Sequence, residues 1–439
     1  MLPLMASCAA CVACWSVESI ALMSIGAWAG SWARQALPSE NARMARVDAA
    51  ARFGMARNLV LAMFDVAVVG SGPAGTIAAL ALAERGVSVV LLERQALPRY
   101  KTCGGGLVGR ALDVLPGDVQ RVVERPCADA ELNLLDAGLR YRAARERPIM
   151  AMTMRDRLDE VLACAAVHAG ATLRAPCAVT GVMFERRHVR LATDAEPVSA
   201  AFVIAADGAT GDVARLAGWD DGRHLIPALE YEVSVDDVTF ERFAARPRFD
   251  LGVPPFGYAW VFPKAAHLSA GVLTTHRGAI NLHRHLESYL RTIGLVPRAT
   301  ERHGFVIPVR PRTGPLGRKR MLLVGDAAGL ADPVTGEGIS LAARSGRVAA
   351  DAIVAAGLDP ERVRRGYQAA LRPLLDELRI GRALARLLYD FPRVRGWLFP
   401  RVGQPLVEAI TDVFMGARTY RRSLVGCARA LALGASTRS

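Results

Sequence analysis

The run Phe64–Arg94, FDVAVVGSGPAGTIAALALAERGVSVVLLER, constrains this chain more than any other stretch. Val66–Val69 is an unbroken apolar run, the pattern of a strand buried on both faces of a parallel sheet. Gly70-Ser-Gly72-Pro-Ala74-Gly75 follows without a spacer. Ile77–Arg85 reads as an alanine-rich helix, Gly86 stops it, and Val87–Leu92 is a second apolar strand. Gly70 permits the tight turn, Gly72 lets backbone approach a pyrophosphate, and Gly75 lets helix and strand pack closely. The helix N-terminus at Ala74 turns its amides toward the phosphates. Glu93 closes the second strand with Arg94 beside it, roughly 20 residues after the glycines, where a carboxylate accepts hydrogen bonds from ribose hydroxyls. Together these features specify a dinucleotide site, and the acid favours FAD or NAD over NADP.

Two distant segments favour FAD. Val203–Gly218, VIAADGATGDVARLAG, gives an apolar strand and then Asp207-Gly208. Arg320–Ile353 gives a buried strand at Met321–Val324, then Gly325-Asp326, and a permissive loop with Pro333, Gly336 and Gly338. A helix follows over Ile339–Ile353. A second strand–loop–helix unit so far along the chain suits an extended cofactor. Asp326 reads either as an acceptor for a ribityl or ribose hydroxyl or as a helix N-cap. The amides near Gly338 and Ile339 are placed to stabilise an anionic reduced flavin.

In this order the segments resemble the flavoprotein superfamily that includes the aromatic hydroxylases. The resemblance implies that Arg155, heading the helix within Thr153–Ala171, touches the FAD phosphates, with Arg157 as its neighbouring competitor and a plain surface arginine as the alternative. It also implies that the Val179 backbone meets the adenine. Cys103, ten residues after Glu93, precedes three glycines in RYKTCGGGL. Lys101, Cys103, Gly104, Gly105 and Gly106 resemble the geranylgeranyl reductases, whose chain returns here under the isoalloxazine ring. That narrower family carries Tyr-x-Trp-x-Phe-Pro followed by Gly-x-Gly. This chain has Tyr258, Trp260, Phe262 and Pro263, then Gly271. The second glycine is Leu273, a departure that bears on the pocket floor and the substrate length. The resemblance spans about Met63 to Ile353.

Glycine lets backbone lie flat against a ring. Cys103 is the candidate catalytic residue, as a proton relay, or else a thiol that fills space. Tyr258, Trp260 and Phe262 share one face of a strand, either as the wall of a polyprenyl tunnel or as an aromatic core cluster. His267 and His303 form no constellation and read as structural or surface residues. No metal site is expected.

The expected fold class is α/β. A Rossmann-type FAD-binding domain (63–224 and 311–355) is interleaved with a mixed-sheet substrate domain (225–310), and a basic helical region (356–439) follows. Residues 1–62 form an N-terminal extension, nearly uncharged to Ala33 and then basic, read as a mis-assigned start or a weak anchor. The run CAACVAC there has metal-like spacing but no second ligand group. Net charge is +13 and the pI is about 9.9. Such a balance favours anionic partners, though no basic run interleaved with aromatics points to nucleic acid. The eight cysteines are scattered, as in a reduced cytoplasmic protein. Around Trp397, Phe399 and Phe414 the arginines Arg393, Arg395, Arg401, Arg421 and Arg422 suit amphipathic helices broken by Pro392, Pro400 and Pro405. Such helices dock peripherally on the inner face of an anionic membrane or cap the substrate domain.

The expected activity is FAD-dependent saturation of C=C bonds in a geranylgeranyl group on a lipid or pigment precursor. The electron donor, NAD(P)H or ferredoxin, is undetermined, and an electron-donor protein is among the partners considered. The alternatives are a flavin monooxygenase or halogenase of the same fold, against which the missing Trp-x-Trp-x-Ile element speaks, and a non-enzymatic flavin-containing isoprenoid carrier.

Overall fold

The computed structural model describes residues 63–220, 222–276, 278–423 and 425. The N-terminal extension and its three cysteines lie outside the described residues.

Phe64–Val69 lies between two parallel neighbours, Val198–Ala205 and Val89–Leu92. Met321–Leu323 and Thr172–Arg174 extend the parallel core on either side. Antiparallel additions Gly317–Arg318, Val189–Thr193 and Val179–Phe184 complete an eight-stranded sheet. Both faces of the central strands are covered, which is why the sequence runs apolar there without alternation. The first helix spans Pro73–Ala83, starting earlier than the Ile77 expected. Pro73 occupies its first turn, where the missing amide hydrogen is harmless. Ile339–Ala356 packs across it so closely that a Cβ on Gly346 would stand 2.1 Å from the Ala74 carbonyl oxygen.

The second sheet has seven strands, in the order Ala299–Arg310, His224–Ser234, Leu268–Thr274, Gly257–Pro263, Arg248–Leu251, Asp129–Leu134 and Leu139–Ala144. The hairpin 129–144 falls inside the segment 63–224 expected for the FAD-binding domain, yet it pairs with Arg248–Leu251 in this other sheet. That pairing is parallel while the rest of the sheet is antiparallel, so the sheet is mixed. One face buries Leu229, Tyr231, Val261 and Val272 against the helices Asp237–Ala244 and Leu282–Thr292. The other face presents Tyr258, Trp260, Phe262 and Leu273 toward the first sheet's domain.

Two long helices, Pro360–Tyr389 and Pro392–Phe414, close the fold. Asp359 caps the first by accepting from the Arg362 amide at 2.8 Å. As expected, the second helix is interrupted between Pro400 and Pro405, at the non-helical Val402 (φ −137°, ψ 18°), while Pro392 sits in its first turn. Of the expected surface, Arg393, Arg401, Arg421 and Arg422 are exposed, and three residues depart from it. Arg395, Phe399 and Phe414 are buried, and only Trp397 of the three aromatics is exposed. Arg395 donates to the Leu388 carbonyl at 3.0 Å and lies 3.6 Å from Asp136 Oδ2, while its Nε is buried without a partner.

Candidate active site

A single cavity of about 600 Å³ runs from the end of the second strand, past the glycine loop, to the aromatic strand of the second sheet. At its far end Ser71 donates to Glu93 Oε2 through its amide (3.0 Å) and its hydroxyl (2.7 Å). Arg99 Nη2 adds a contact at 3.2 Å, and the Gln95 amide reaches Oε1 at 3.1 Å. Burial opposes the charge on Glu93, but Arg99 and Ser71 outweigh it and hold the carboxyl below its usual range.

Asp159, fully buried, is the hub of the next layer. It takes Arg155 in a bidentate pair at 3.0 and 2.8 Å and Arg99 at 2.9 Å. Arg155 is thereby fixed at the cavity wall, its Nη2 3.9 Å from where a Cβ on Gly72 would stand. Gly72 is the N-cap of Pro73–Ala83 and has open space before it. An arginine and a helix N-terminus thus face the same gap, which is a setting for a pyrophosphate.

Asp207 caps the short helix after it, accepting from the Val213 amide at 2.8 Å, while its Oδ1 is buried without a partner. Burial pushes its pKa up. Asp326 lines the cavity with Lys101 and Arg155 among its charged neighbours, and burial raises its pKa against both. Burial lowers the Lys101 pKa, as does Arg155. Gly70, Gly72, Ala74, Glu93, Arg94, Arg155, Val179, Asp207, Gly208, Asp326, Gly336, Gly338 and Ile339 all border this one space. The open ground before Gly72 and the unpartnered Asp207 Oδ1 fit FAD. Gly75 and Gly325 do not line the cavity. A Cβ on Gly75 would lie 1.8 Å from the Gly70 carbonyl oxygen, and one on Gly325 would lie 2.9 Å from Ala74 Cβ, so both serve packing beside the site.

Cys103, Gly104, Gly105 and Gly106 line the middle of the cavity. The Gly105 amide donates to Cys103 Sγ at 3.4 Å, and the thiol also contacts Arg155. The glycine run does more than lie flat. A Cβ on Gly104 would stand 2.9 Å from Phe262 Cδ2, and one on Gly106 would stand 2.3 Å from Met150 Cε. The glycines therefore let this loop nest against the aromatic strand of the other sheet. Lys264 fastens the joint: it is fully buried and its Nζ donates to the carbonyls of Gly104 (2.8 Å) and Thr153 (2.9 Å).

Tyr258, Trp260 and Phe262 face the cavity together. Tyr258 is anchored by its hydroxyl to the Thr335 carbonyl. Gly271 does not line the space; it lies behind the Trp260 indole, where a Cβ would come within 2.1 Å of Cζ2. Pro263 ends the strand and is likewise behind the wall. Leu273 does line the cavity, its Cδ2 3.1 Å from a Cβ built on Gly336, so the departure from Gly-x-Gly narrows this end.

Several residues here carried no signal in the sequence. Asp159, Arg99 and Lys264 lie beside expected residues, but only the fold shows that they are buried and paired. Glu230 also lines the cavity, 2% exposed. His267 is not a lone surface residue: its Nε2 lies 3.0 Å from Glu232 Oε2. His303 packs against Tyr100 with the rings tilted and their centroids 4.3 Å apart.

The FAD binding domain family matches residues 63–356. Digeranylgeranylglycerophospholipid reductase 2 of Methanothermobacter thermautotrophicus is 33% identical over 331 residues, covering 67% of this chain and 80% of the relative. The chain belongs to the geranylgeranyl reductase family. The chloroplastic geranylgeranyl diphosphate reductase of Arabidopsis thaliana is 32% identical over 320 residues, covering 66% of this chain and 65% of that protein. A geranylgeranyl bacteriochlorophyll reductase-like protein from Thermoplasma acidophilum shares the fold, with a TM-score of 0.67 at 23% identity, covering 84% and 96% of the two chains. The halogenase PltM shares it too, with a TM-score of 0.64 at 17% identity, covering 81% and 82%. As a member of this family the protein is an FAD-dependent oxidoreductase.

Proposed function

We propose that this reductase saturates C=C bonds of a geranylgeranyl or related polyprenyl group carried on a lipid or pigment precursor. The observation that carries the reading is the shared cavity: the aromatic face Tyr258-Trp260-Phe262 and the Cys103–Gly106 loop packed against it line the same space as the dinucleotide elements. The relatives' names support it. When bound and reduced, FAD supplies hydride to the alkene. Glu93, Asp207 and Asp326 would hold its hydroxyls, and Arg155 with the Gly72 helix terminus its phosphates. Gly104 and Gly105 bring backbone to the ring region, with Cys103 at its edge. Tyr258, Trp260, Phe262 and Leu273 give an unactivated alkene a dry wall that fixes its position. NAD(P)H or a ferredoxin is the proposed source of electrons. Mass spectrometry of lipid extracts, with and without the expressed protein, tests the reading. Prenyl species heavier by two hydrogens per double bond are expected, and unchanged prenyl profiles with each donor supplied overturn it.

The same reading places the protein peripherally on an anionic membrane. Among the described residues no helix is long and apolar enough to cross a membrane. The helix Pro392–Phe414 exposes Phe391, Val394 and Trp397 near its start, with Arg393 and Arg401 alongside. The Arg401 guanidinium sits 4.6 Å from the Trp397 ring centroid. Apolar side chains beside arginines suit the boundary of an anionic bilayer. Binding to phosphatidylglycerol vesicles in a flotation assay is expected to fall at least about tenfold in the double variant Phe391→Ser/Trp397→Ser, given that each buried side chain is worth about 1.5–3 kcal/mol. Binding to phosphatidylcholine vesicles should be weak for both proteins. Equal flotation of the two proteins would remove this surface from the proposal.

A further inference from the structure

One buried acid on the cavity wall has no role in holding FAD. Glu230 lies in His224–Ser234, in register with Gly271, which in turn is in register with Trp260. The three form a row across the sheet. Because Gly271 has no side chain, the Trp260 indole lies over it, and Trp260 and Glu230 both line the cavity. Glu230 Oε1 and Trp260 Nε1 are both buried without a partner. Glu232 follows two residues on, on the same face of the strand. Its side chain meets that of Glu230, yet its own Oε1 has no donor. Two carboxyls in contact are compatible only when a proton sits between them. Glu232 Oε2 then meets His267 Nε2 at 3.0 Å, and the His267 side chain is 27% exposed. A continuous set of titratable groups therefore joins solvent to the cavity.

We infer that Glu230 delivers the proton of alkene saturation, and that Glu232 and His267 return a proton to it from solvent. The inference rests on the reductase reading above. Hydride ends on one alkene carbon and its electron pair, with that of the π bond, makes two new C–H bonds. The Glu230 O–H bond breaks and its proton ends on the other carbon. The carboxylate left behind is neutralised through Glu232 by a proton entering at His267. The reductant is the two-electron-reduced flavin, regenerated by the external donor. Glu230 acts directly; Glu232 and His267 are positioning and supply groups.

The surroundings keep the acid neutral. Burial raises the Glu230 pKa first and Glu232 second, against Lys264 and a hydrogen bond from the Cys103 backbone, to about 8. The other groups near it are Tyr100, which feels the charge of both glutamates, and His303 on the neighbouring strand. A general acid works while protonated, so saturation should fall as pH rises through about 8.

The test uses the full-length FAD-loaded protein and Glu230→Gln, which keeps shape and removes the acid. The expected result has three parts. Flavin content and reduction by dithionite match the wild type. Single-turnover saturation of geranylgeranyl diphosphate drops at least about 100-fold, the lower end of general-acid effects, and the fall in rate near pH 8 disappears. Thermal unfolding gives a readout independent of turnover. The folded-state pKa is raised, so the stability Glu230 contributes is present below about 4.5 and is lost as pH rises toward about 8. The wild type should thus lose stability relative to Glu230→Gln across that window and run parallel to it above. His267→Ala should slow later turnovers more than the first, with imidazole restoring them. A variant within threefold of wild type, with the same pH profile, overturns the relay and leaves the reductase reading standing. A wild type that reduces no prenyl alkene overturns the reductase reading and the relay with it; a stability difference that does not change with pH shows that Glu230 is not held neutral and overturns the relay alone.

Discussion

Gly72→Val should yield a folded, colourless protein. A Cβ at this position meets nothing closer than Arg155 Nη2 at 3.9 Å, so the protein itself has room for the first carbon. The backbone is extended there (φ −73°, ψ 178°), a conformation valine adopts readily. The isopropyl group would occupy the space before the helix N-terminus, where the pyrophosphate must lie against bare backbone. Loss of those amide contacts, and of the approach to Arg155, removes several charge-assisted hydrogen bonds at about 1.5–3 kcal/mol each. Flavin affinity should drop at least about 100-fold while far-ultraviolet circular dichroism stays native. Visible absorbance of the purified variant, with its flavin-to-protein ratio, is the measurement. A fully flavinylated Gly72→Val would overturn the placement of FAD. The contrast is Gly346, where a Cβ would strike the Ala74 carbonyl oxygen at 2.1 Å; substitution there should damage the fold itself.

That contrast shows what the sequence carries and what it does not. The phosphate loop is legible because its parts are local: strand, glycines, helix and acid follow within about 30 residues, the span of a βαβ unit. The face shared by Tyr258, Trp260 and Phe262 is legible for the same reason, since strand geometry fixes it. Alternation likewise puts Glu230 and Glu232 on one face, but nothing in LEYEVSV says that this face is covered, as is that of Leu229, Tyr231 and Val233. Their meaning comes from Gly271 and Trp260 on neighbouring strands, from the Cys103 loop arriving from another sheet, and from His267 beyond the aromatic motif. Chain order alone puts the hairpin 129–144 with the FAD-binding domain, whereas its place is set by pairing with a strand more than a hundred residues later. Arg395 read as surface charge because the carbonyl that accepts from it is exposed to view only once two helices have folded back on each other.

Gly105→Leu should be the most damaging single change in the Cys-Gly-Gly-Gly run. Gly105 has φ +63°, which costs a branched residue about 1–2 kcal/mol. Its Cβ would stand 2.0 Å from the Thr153 carbonyl oxygen and 2.4 Å from Lys264 Nζ. Neither can yield cheaply. The Thr153 amide donates to the Gly105 carbonyl at 2.9 Å, so the two backbones are already locked. Lys264 is fully buried and depends on the Gly104 and Thr153 carbonyls, and displacing it strands a charge in the interior. The loss of stability is therefore expected to exceed about 3 kcal/mol, the scale of a broken buried charge network, with flavin released at the same time. Cys103 differs. Its thiol makes one long contact, with the Gly105 amide at 3.4 Å, and touches Arg155. Serine keeps the size and a polar proton, so Cys103→Ser should keep its FAD and at least part of its prenyl reduction. Cys103→Ala separates a relay from a spacer. Normal FAD binding with complete loss of C=C reduction in both cysteine variants would make the thiol chemically required and displace Glu230 as the proton source. Unchanged stability, flavin affinity and turnover in Gly105→Leu would mean that the loop does not pack on Thr153 and Lys264 as described.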